Sequence, residues 1–504
     1  RELKFASEKY FRNEITADEL QSTAKELRKS NLDVQKNSGL DFIPSNDFSF
    51  YDGMLDTAFL LGAVPKRYKD LDLPELDTYF AAARGYQGDH GDVKAFAMKK
   101  WFNTNYHYMV PEIDDDTKLS LSGNKPFDLY NEALENGVKT KPVIIGAYTF
   151  LKLARYTGSK NANDFVDAAI AAYKDILAKF SGLGAEWVQI DEPCLVMDMD
   201  ADDKALFDKI YKEVLSAKGS VKVLLQTYFG DVRDCYSDIC ALDFDGIGID
   251  FVEGKKSLEL VKSNGFPKDK VLFAGVVNGK NIWKNHYANT VKLVDEIKKH
   301  SGEVVINTSC SLLHVPYTLE NESKLDESYK KHFAYAKEKL SELAELKTIL
   351  SADSPEDTAE YKNNVKLFSE PRSGANADVQ KKVSELTDKD FVRLPVFEER
   401  EKVQKARFKL PLLPTTTIGS FPQTKEIRAE RAAFRKNEIT QEEYDKFLEK
   451  QITDCIRLQE DIDIDVLVHG EFERNDMVEY FGECLDGYIF TEKAWVQSYG
   501  TRCV

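Results

Sequence analysis

The chain repeats part of its own sequence, and this internal repeat constrains the fold more than any other feature. When Arg1 is aligned with Lys425, ten of the first 52 positions are identical without a gap. They include Asn13–Thr16, which matches Asn437–Thr440. Each run ends in the threonine of a Thr-x-x-Glu sequence, the capping box that predicts the start of a helix. We infer that an ancestral strand–helix unit was duplicated.

The register of the repeat bears on the ends of the chain. The second copy has a predicted strand, Thr415–Ser420, before its first helix, whereas no such segment precedes Arg1. The second copy ends at the position equivalent to residue 80 of the first. We therefore expect a chain trimmed at both ends, with one nearly whole domain and the opening of a second.

Strands and helices alternate from the start of the chain as far as Lys330, which favours a parallel sheet covered by helices. Amphipathic periodicity predicts helices at Asn163–Phe180, Ala201–Ala217 and Asn289–His300. Eight strands are predicted: Leu40–Pro44, Tyr106–Val110, Val143–Ala147, Trp187–Ile190, Val221–Thr227, Gly246–Phe251, Val271–Val277 and Val304–Thr308. Eight repeats favour a (β/α)8 barrel. If a strand precedes Arg1, one of the eight is surplus, and Tyr106–Val110 has the weakest pattern.

The predicted fold class is α/β, with two (β/α)8 TIM-type barrels related by duplication and the second only partly present. The first barrel is assigned to residues 1–345 and the start of the second, catalytic barrel to residues 410–504. Periodicity fades between them, so residues 346–409 are predicted to be an inter-domain linker. Barrel chemistry is expected at the carboxyl ends of the strands, where Asp47, Asp191, Gln226, Asp250 and Asn307 lie.

The net charge limits the kinds of partner that the chain can bind, and the cysteines indicate its cellular compartment. The net charge of −17 argues against nucleic acid as the main partner, so an anionic ligand needs a local basic pocket. No apolar run is long enough to span a bilayer. Seven scattered cysteines without a C-x-x-C pair are typical of a reducing compartment, which favours the cytoplasm.

Four motifs carry a resemblance to a known family. They are Trp101–Glu112, Thr415–Gln423, His469–Gly482 and Trp495–Cys503. Together they resemble cobalamin-independent methionine synthase, and the likeness extends from Arg1 to Val504. The resemblance implies two face-to-face barrels in a monomer. It also implies methyl transfer from 5-methyltetrahydropteroyltri-L-glutamate to the zinc-activated thiol of L-homocysteine, giving L-methionine.

The resemblance assigns roles to particular residues. The folate-binding positions are Arg1, Glu2, Leu3, Lys4, Lys100, Arg502 and Cys503. The homocysteine- and methionine-binding positions are Ile418, Gly419, Ser420 and Glu471. The family's zinc ligands (a His-x-Cys pair, a glutamate and a cysteine) and its proton-donor histidine are expected beyond Val504. The resemblance therefore implies one zinc per full-length chain, with no catalytic residue and no metal ligand in this sequence.

These residue types suit the implied chemistry. A thiol is mostly protonated at neutral pH, and zinc coordination deprotonates it. Glu471 can pair with an α-ammonium group, and Ser420 with neighbouring backbone N–H groups can hold a carboxylate. A triglutamate tail carries several carboxylates, for which Arg1, Lys4 and Lys100 are suitable partners.

Two other functions remain open on the residues alone. Asp191 and Glu192 are candidates for the acid/base pair of a barrel hydrolase, although adjacent strand residues point to opposite faces, so only one can face the barrel centre. The supplied chain is also compatible with a non-catalytic binding scaffold. Without the resemblance, the basic residues named above are typical of a solvated helix face or surface, and Gly419 is typical of close backbone packing.

Overall fold

The computed structural model describes residues 1–370 and 376–503. The chain divides into two compact units. The first comprises Arg1–Pro371 and Thr491–Val504, and the second comprises Arg372–Phe490.

The first unit alternates helices and strands along most of its length. Its helices are α1 (Glu2–Phe11), α2 (Ala17–Asn37), α3 (Gly53–Leu60), α4 (Lys66–Lys69), α5 (Glu75–Arg84), α6 (Lys125–Glu135), α7 (Ala147–Leu153), α8 (Ala162–Gly182), α9 (Ala201–Leu215), α10 (Tyr236–Ala241), α11 (Ser257–Asn264), α12 (Tyr287–Lys298), α13 (Glu327–Lys330), α14 (Ala336–Ser351) and α15 (Ala359–Ser369). Its strands are β1 (Pro44–Ser45), β2 (Tyr86–Gly88), β3 (Gly91–Val93), β4 (Met98–Lys100), β5 (His107–Met109), β6 (Glu112–Ile113), β7 (Lys141–Ile145), β8 (Arg155–Tyr156), β9 (Trp187–Asp191), β10 (Lys222–Gln226), β11 (Gly246–Asp250), β12 (Val271–Val277), β13 (Val304–Thr308), β14 (Gln497–Tyr499) and β15 (Arg502–Cys503).

Within residues 1–370, seven of the eight predicted strands form one sheet in the order β1-β7-β9-β10-β11-β12-β13. Each adjacent pair is parallel, so the predicted α/β fold with helices between parallel strands is confirmed. The remaining prediction, Tyr106–Val110, is wrong as a strand of this sheet. Its centre forms β5, which pairs antiparallel with β4. The residue pattern predicts that this segment forms a strand, but it does not predict which strand will pair with it.

The sheet is curled. Phe42, just before β1, contacts Phe273 of β12 with ring centroids 5.2 Å apart, and Trp187 of β9 with centroids 6.0 Å apart. In a flat sheet, strands five places apart would be separated by roughly 24 Å at about 4.8 Å per step. The rings can meet only because the sheet bends around them, and they pack together on its concave side. This is the curvature expected of a TIM-type barrel.

Helices cover the convex side of the sheet. Helix α8 begins at a capping box formed by Asn161 and Asp164, and α9 begins after Asp200, whose side chain accepts from the backbone of Asp203. Both match predicted helices to within two residues at each end. Phe180 of α8 is fully buried against Phe127 of α6, with ring centroids 4.7 Å apart.

The second unit contains helices only, apart from isolated bridges, in the residues that the structure describes. Its α-helices are α16 (Ala377–Ser384), α17 (Phe397–Phe408), α18 (Lys425–Arg435), α19 (Gln441–Asp461) and α20 (Met477–Glu483), and a short 3-10 helix lies at Asp388–Phe391. Residues 346–409, predicted as a linker, include the end of α14 together with α15, α16 and α17. Residues 371–375 of that segment lie outside the described ranges.

The two copies of the repeat have matching backbones. Helices α2 and α19 have the same length and start at equivalent positions of the repeat, Ala17 and Gln441. Both begin with the predicted capping box, at Thr16 in the first copy and Thr440 in the second. Helices α3 and α20 likewise follow equivalent aspartates, Asp52 and Asp476, whose side chains each accept from a backbone N–H of the first turn. These similar backbones support the inference of duplication.

Left-handed residues also occur at equivalent positions. Asn13 and Asn437 have φ of 56° and 58°. Asn46 has φ of 61°, and its counterpart Gly470 has φ of 87°. Such values are uncommon outside glycine, with Asn and Asp enriched among the exceptions. Their recurrence in the register of the repeat extends the match to the turns between the helices.

The predicted strand Thr415–Ser420 is reduced to isolated contacts. Two parallel bridges join Thr416 to Val466 and Ser420 to Gly470, without a continuous ladder. The predicted pairing is therefore present at its two ends, but a regular strand is not assigned. A two-stranded parallel pairing has little stability by itself.

All seven cysteines lie in the described ranges and are free thiols. Cys194, Cys235, Cys310 and Cys455 are buried, where a free cysteine behaves as a small apolar residue. None of the helices within residues 1–370 and 376–503 has an apolar stretch long enough to cross a membrane.

Candidate functional site

The second unit brings together three of the four predicted homocysteine-binding residues. Ser420 donates from Oγ to Glu471 Oε2 at 2.8 Å. The parallel bridge between Ser420 and Gly470 holds these two segments side by side. A Cβ atom on Gly419 would lie 2.7 Å from Glu471 Oε1, so the carboxylate approaches this backbone closely because residue 419 is glycine.

The Glu471 carboxylate is held in its ionised form. Its Oε1 atom pairs with Arg474 at 2.7 Å. The hydrogen bond from Ser420 is the main cause that holds the pKa of Glu471 below its usual range, and the Arg474 ion pair acts in the same direction. A carboxylate has about four acceptor positions, so two remain for a ligand. The backbone of Glu471 is in the left-handed region, with φ of 59°. This backbone conformation sets the direction in which the Glu471 side chain leaves the chain.

The side chain of Ile418 is 98% exposed. It lies next to Gly419 in the chain but has no part in the contacts around Glu471 in the described residues. Arg474, by contrast, was not predicted from the sequence, although it completes the carboxylate site. Its spacing of three residues from Glu471 is a signal that could have indicated an ion pair.

In the first unit, two of the predicted folate-binding cations are linked by aromatic side chains. Lys100 of β4 lies opposite His107 of β5. The ring of His107 contacts Tyr499, with centroids 5.9 Å apart. The Arg502 guanidinium lies over the same tyrosine ring at 5.6 Å, and it donates to the tyrosine hydroxyl at 3.2 Å. Lys100 and Arg502 therefore flank one aromatic surface.

Residues 491–503 are fixed to this surface by two contacts. Ser498 donates from Oγ to the carbonyl of Asn105 at 3.0 Å. Gly500 packs against Tyr51 so closely that an added Cβ would come within 2.4 Å of the ring. Cys503, another predicted folate-binding residue, is half-buried in β15 and pairs with Gln497 of β14.

The stretch Arg1–Lys4 forms the start of α1. Arg1 and Glu2 are exposed, and Leu3 packs in the apolar cluster that contains Tyr51 and Met109. Helix α1 thereby approaches the residue on which Gly500 packs. Arg84 lies in the same region, with its guanidinium 3.6 Å from the ring centroid of Phe11, and burial lowers its pKa.

We call Lys4, Arg84, Lys100 and Arg502 the cationic group. No carboxylate in residues 1–370 or 376–503 forms an ion pair with any of its four members within 4 Å. In a chain with a net charge of −17, cations without such a partner favour binding of an anion. Arg84 was missed by sequence reasoning because its position depends on tertiary packing.

The carboxylates of the alternative hydrolase site do not act as a pair. Asp191 lines the concave side of the sheet, whereas Glu192 is fully buried on the helix side. Glu192 accepts from the backbone N–H groups of Tyr148 at 3.0 Å and Thr149 at 2.7 Å, and from the hydroxyl of Tyr211. Burial raises the pKa of Glu192 to about 7. The residue anchors the first turn of α7.

Replacing Glu192 by glutamine should destabilise the first unit without affecting any ligand site. The side-chain NH2 group of the glutamine would face the backbone N–H of Thr149, so this N–H would lose its acceptor. A buried donor without an acceptor costs about 1–3 kcal/mol of stability. Urea unfolding followed by circular dichroism checks the free energy. As a control, the substitution of exposed Glu186 by glutamine should change the free energy of unfolding by less than about 0.5 kcal/mol. An E192Q protein of unchanged stability would contradict the anchoring role.

A curled parallel sheet covered by helices, with polar residues at the carboxyl ends of its strands, defines an α/β-barrel protein. Two family models match the chain: "Cobalamin-independent synthase, N-terminal domain" at residues 1–302 and "Cobalamin-independent synthase, Catalytic domain" at residues 413–504. The chain belongs to the cobalamin-independent synthase family, which confirms the family predicted from its motifs.

Curated relatives match along the whole chain. A 5-methyltetrahydropteroyltriglutamate–homocysteine methyltransferase of Streptococcus thermophilus is 56% identical over 504 residues, and one of Lactococcus lactis subsp. lactis is 54% identical. The matches cover 100% of this chain and 66% of each relative. Among solved structures, the chain is similar to a B12-independent methionine synthase from Shewanella sp. W3-18-1. That match has 12% identity and a TM-score of 0.43, and covers 67% of this chain and 92% of that one.

Proposed function

We propose that this chain is part of a methyltransferase that moves the methyl group of 5-methyltetrahydropteroyltri-L-glutamate to the thiol of L-homocysteine and forms L-methionine without cobalamin. The observation that carries the proposal is the identity of 53–56% with relatives of that name along all 504 residues. The contact between Ser420 and Glu471 supports the proposal, because an ionised carboxylate suits the ammonium group of an amino-acid substrate.

The amino-acid substrate is assigned to the second unit. The ionised carboxylate of Glu471 receives the α-ammonium group, because two of its acceptor positions are not used by Ser420 and Arg474. A charge-assisted hydrogen bond of this kind is roughly twice as strong as a neutral one. Ile418 and Gly419 border this position, and the exposed side chain of Ile418 offers an apolar contact to the substrate.

The folate tail is assigned to the cationic group of the first unit. Its glutamate carboxylates are anions, and Lys4, Lys100 and Arg502 are cations without carboxylate partners within 4 Å in the described ranges. Arg502 presents a planar guanidinium that can bind a carboxylate through two hydrogen bonds. Arg1, Glu2, Leu3 and Cys503 are proposed as neighbouring contacts, to which their backbone groups contribute.

Zinc is proposed as the thiol-activating metal of the complete enzyme. Within residues 1–370 and 376–503 there is no group of three or more His, Cys, Asp or Glu residues placed to hold a metal ion. His469 and Glu471 alone do not make such a set, since a zinc site needs three or four protein ligands. The described residues therefore do not fit a zinc site, and its ligands and the proton-donor histidine remain predicted beyond Val504.

We base the cellular compartment of the protein on its cysteines and its kinds of partner on its net charge. Seven free thiols suit a reducing compartment, and we propose the cytoplasm. We also propose that the protein acts as a monomer on small-molecule substrates, without nucleic-acid or membrane partners, in keeping with its net charge of −17.

Replacing Lys100 by alanine tests the folate assignment. In the full-length protein, the KM for the triglutamate folate should rise about fivefold, since a solvent-exposed ion pair contributes up to about 1 kcal/mol. The KM for the monoglutamate folate should change less, because its tail has fewer carboxylates. The measurement is homocysteine-dependent demethylation of each folate.

Lys99 provides a matched control for this experiment. It is adjacent to Lys100 in β4 and is also exposed, but its side chain points to the other face of the strand. K99A should leave both KM values unchanged. Equal effects of K99A and K100A, or equal effects on the two folates, would contradict the tail assignment. Absence of any homocysteine-dependent demethylation by the unmodified protein would overturn the proposed function.

A further inference from the structure

The concave side of the first unit's sheet contains a largely apolar cavity with a few charged side chains, which the proposed methyl transfer does not use. Its volume is about 830 Å³. Side chains from the carboxyl ends of different strands line one part of it, among them Asp47, Asp191, Gln226 and Asn307, together with Lys141 from the start of β7. Ligand sites of α/β barrels occur at the carboxyl ends of the strands.

The positive charge in this cavity is only partly satisfied. Buried Lys141 donates to the side-chain oxygen of Gln189. An ammonium group has three donors, and this is the only hydrogen bond of the Lys141 ammonium among the described residues. Asp191 and Asp47 both attract the Lys141 ammonium, but neither forms an ion pair with it within 4 Å in the described ranges. The Asp191 carboxylate already accepts from Gln189 at 2.7 Å and from Tyr228 at 3.2 Å.

The negative charge of Asp47 is not paired. Its side chain is exposed and faces the cavity, and desolvation by the protein atoms around the cavity raises its pKa. No side chain in residues 1–370 or 376–503 donates to it, and no cation there lies within 4 Å. Lys125, the other cation that attracts it, already binds Asp56, the carbonyl of Phe48 and Asn46.

A cavity with an unpaired carboxylate and a partly unpaired ammonium is complementary to a molecule that carries both opposite charges. A simple anion would meet Asp47 and Asp191, and a simple cation would leave the two free donors of Lys141 unused. We propose that the concave side of the first unit binds a small α-amino acid, with its ammonium group on Asp47 and its carboxylate on Lys141.

The internal repeat supports this inference independently. Asp47 is the counterpart of Glu471 in the register of the repeat, and each follows a left-handed residue, Asn46 or Gly470. The two copies therefore present a carboxylate at the same backbone position. The support from the repeat rests on the proposed role of Glu471, whereas the argument from the cavity concerns the charges of the first copy only and does not depend on methyl transfer.

L-Methionine is a suitable probe, since blocked forms of both its charged groups can be compared. It would be titrated calorimetrically into the full-length protein carrying Glu471→Gln, which removes the carboxylate of the second copy. Saturable binding is expected. Adding Asp47→Asn should weaken it at least about tenfold, the effect of losing a hydrogen bond between charged groups. N-acetyl-L-methionine and the methyl ester should each bind at least about tenfold more weakly than L-methionine.

Asp33→Asn is the matched control, because Asp33 is an exposed carboxylate of α2 outside the cavity. It should leave the affinity unchanged, and its melting temperature provides the reference for the D47N protein. If D47N impairs folding, the inference is still tested by comparing the affinities of the two blocked ligands with that of L-methionine in the E471Q protein. Absence of saturable binding, equal affinity of the D47N protein, or undiminished binding of N-acetyl-L-methionine would each overturn the inference. None of these outcomes bears on the folate assay that tests methyl transfer.

Discussion

Replacing Glu471 by glutamine is expected to lower kcat/KM for homocysteine by about 30- to 900-fold in the full-length protein. The glutamine keeps the size of the side chain but removes the negative charge that we assign to the substrate's ammonium group. Loss of one partner of such a charge pair costs about 2–4 kcal/mol, which gives this range. Ser420 and Arg474 would also lose the charge that holds their contacts with residue 471. Steady-state kinetics with varied homocysteine measure the effect.

A second glutamate of the same unit provides the matched control for the E471Q substitution. Glu442 is exposed on α19 and pairs only with Lys446 of the same helix in the described residues, so E442Q should retain full activity. The E471Q protein should retain its affinity for the triglutamate folate, since that ligand is assigned to the first unit. An E471Q protein with unchanged kcat/KM for homocysteine would refute the ammonium assignment.

Replacing Phe273 by alanine is expected to reduce the free energy of unfolding of the first unit by about 3–5 kcal/mol. Phe273 is 1% exposed on β12. Its ring contacts Phe42 and Trp187, with centroids 5.2 and 5.6 Å away. The truncation would leave a void on the concave side of the sheet, where these rings join strands that are distant in sheet order. Urea unfolding followed by far-UV circular dichroism gives the free energy.

Phe391 is the matched control for this substitution, because its side chain is 76% exposed. F391A should change the free energy of unfolding by less than about 0.5 kcal/mol. Similar effects of the two substitutions would mean that the ring cluster contributes little to closing the sheet. The curvature would then depend on the backbone and the outer helices.

The elements that were predicted well are those whose signals are local. The capping boxes at Thr16 and Thr440 mark helix starts through residues three apart. Continuous apolar runs identify strands such as β12, since a strand buried on both faces needs no polar positions. Tyr106–Val110 shows the limit of this reasoning. Its residues suit a strand, but pairing with β4 instead of the large sheet is determined by contacts that are distant in sequence.

The site was predictable only in part for the same reason. Ser420 and Glu471 lie 51 residues apart, and only the resemblance to a known family associated them before the structure brought their side chains to 2.8 Å. Arg84 has no motif around it and gains its position from packing on Phe11. Asp47 was noted as a strand-end residue, but its lack of a partner could be seen only once the surrounding side chains were in place.

Residues 491–503 have a practical consequence for dividing the protein. Their sequence matches the second family model, yet they pack with the first unit through Ser498 and Gly500. A gene split at the family boundary would separate Arg502 from Lys100 and expose the ring of Tyr51. A separately produced first unit would therefore need residues 491–503 supplied with it, for example by fusing this segment behind α15 through a flexible tether.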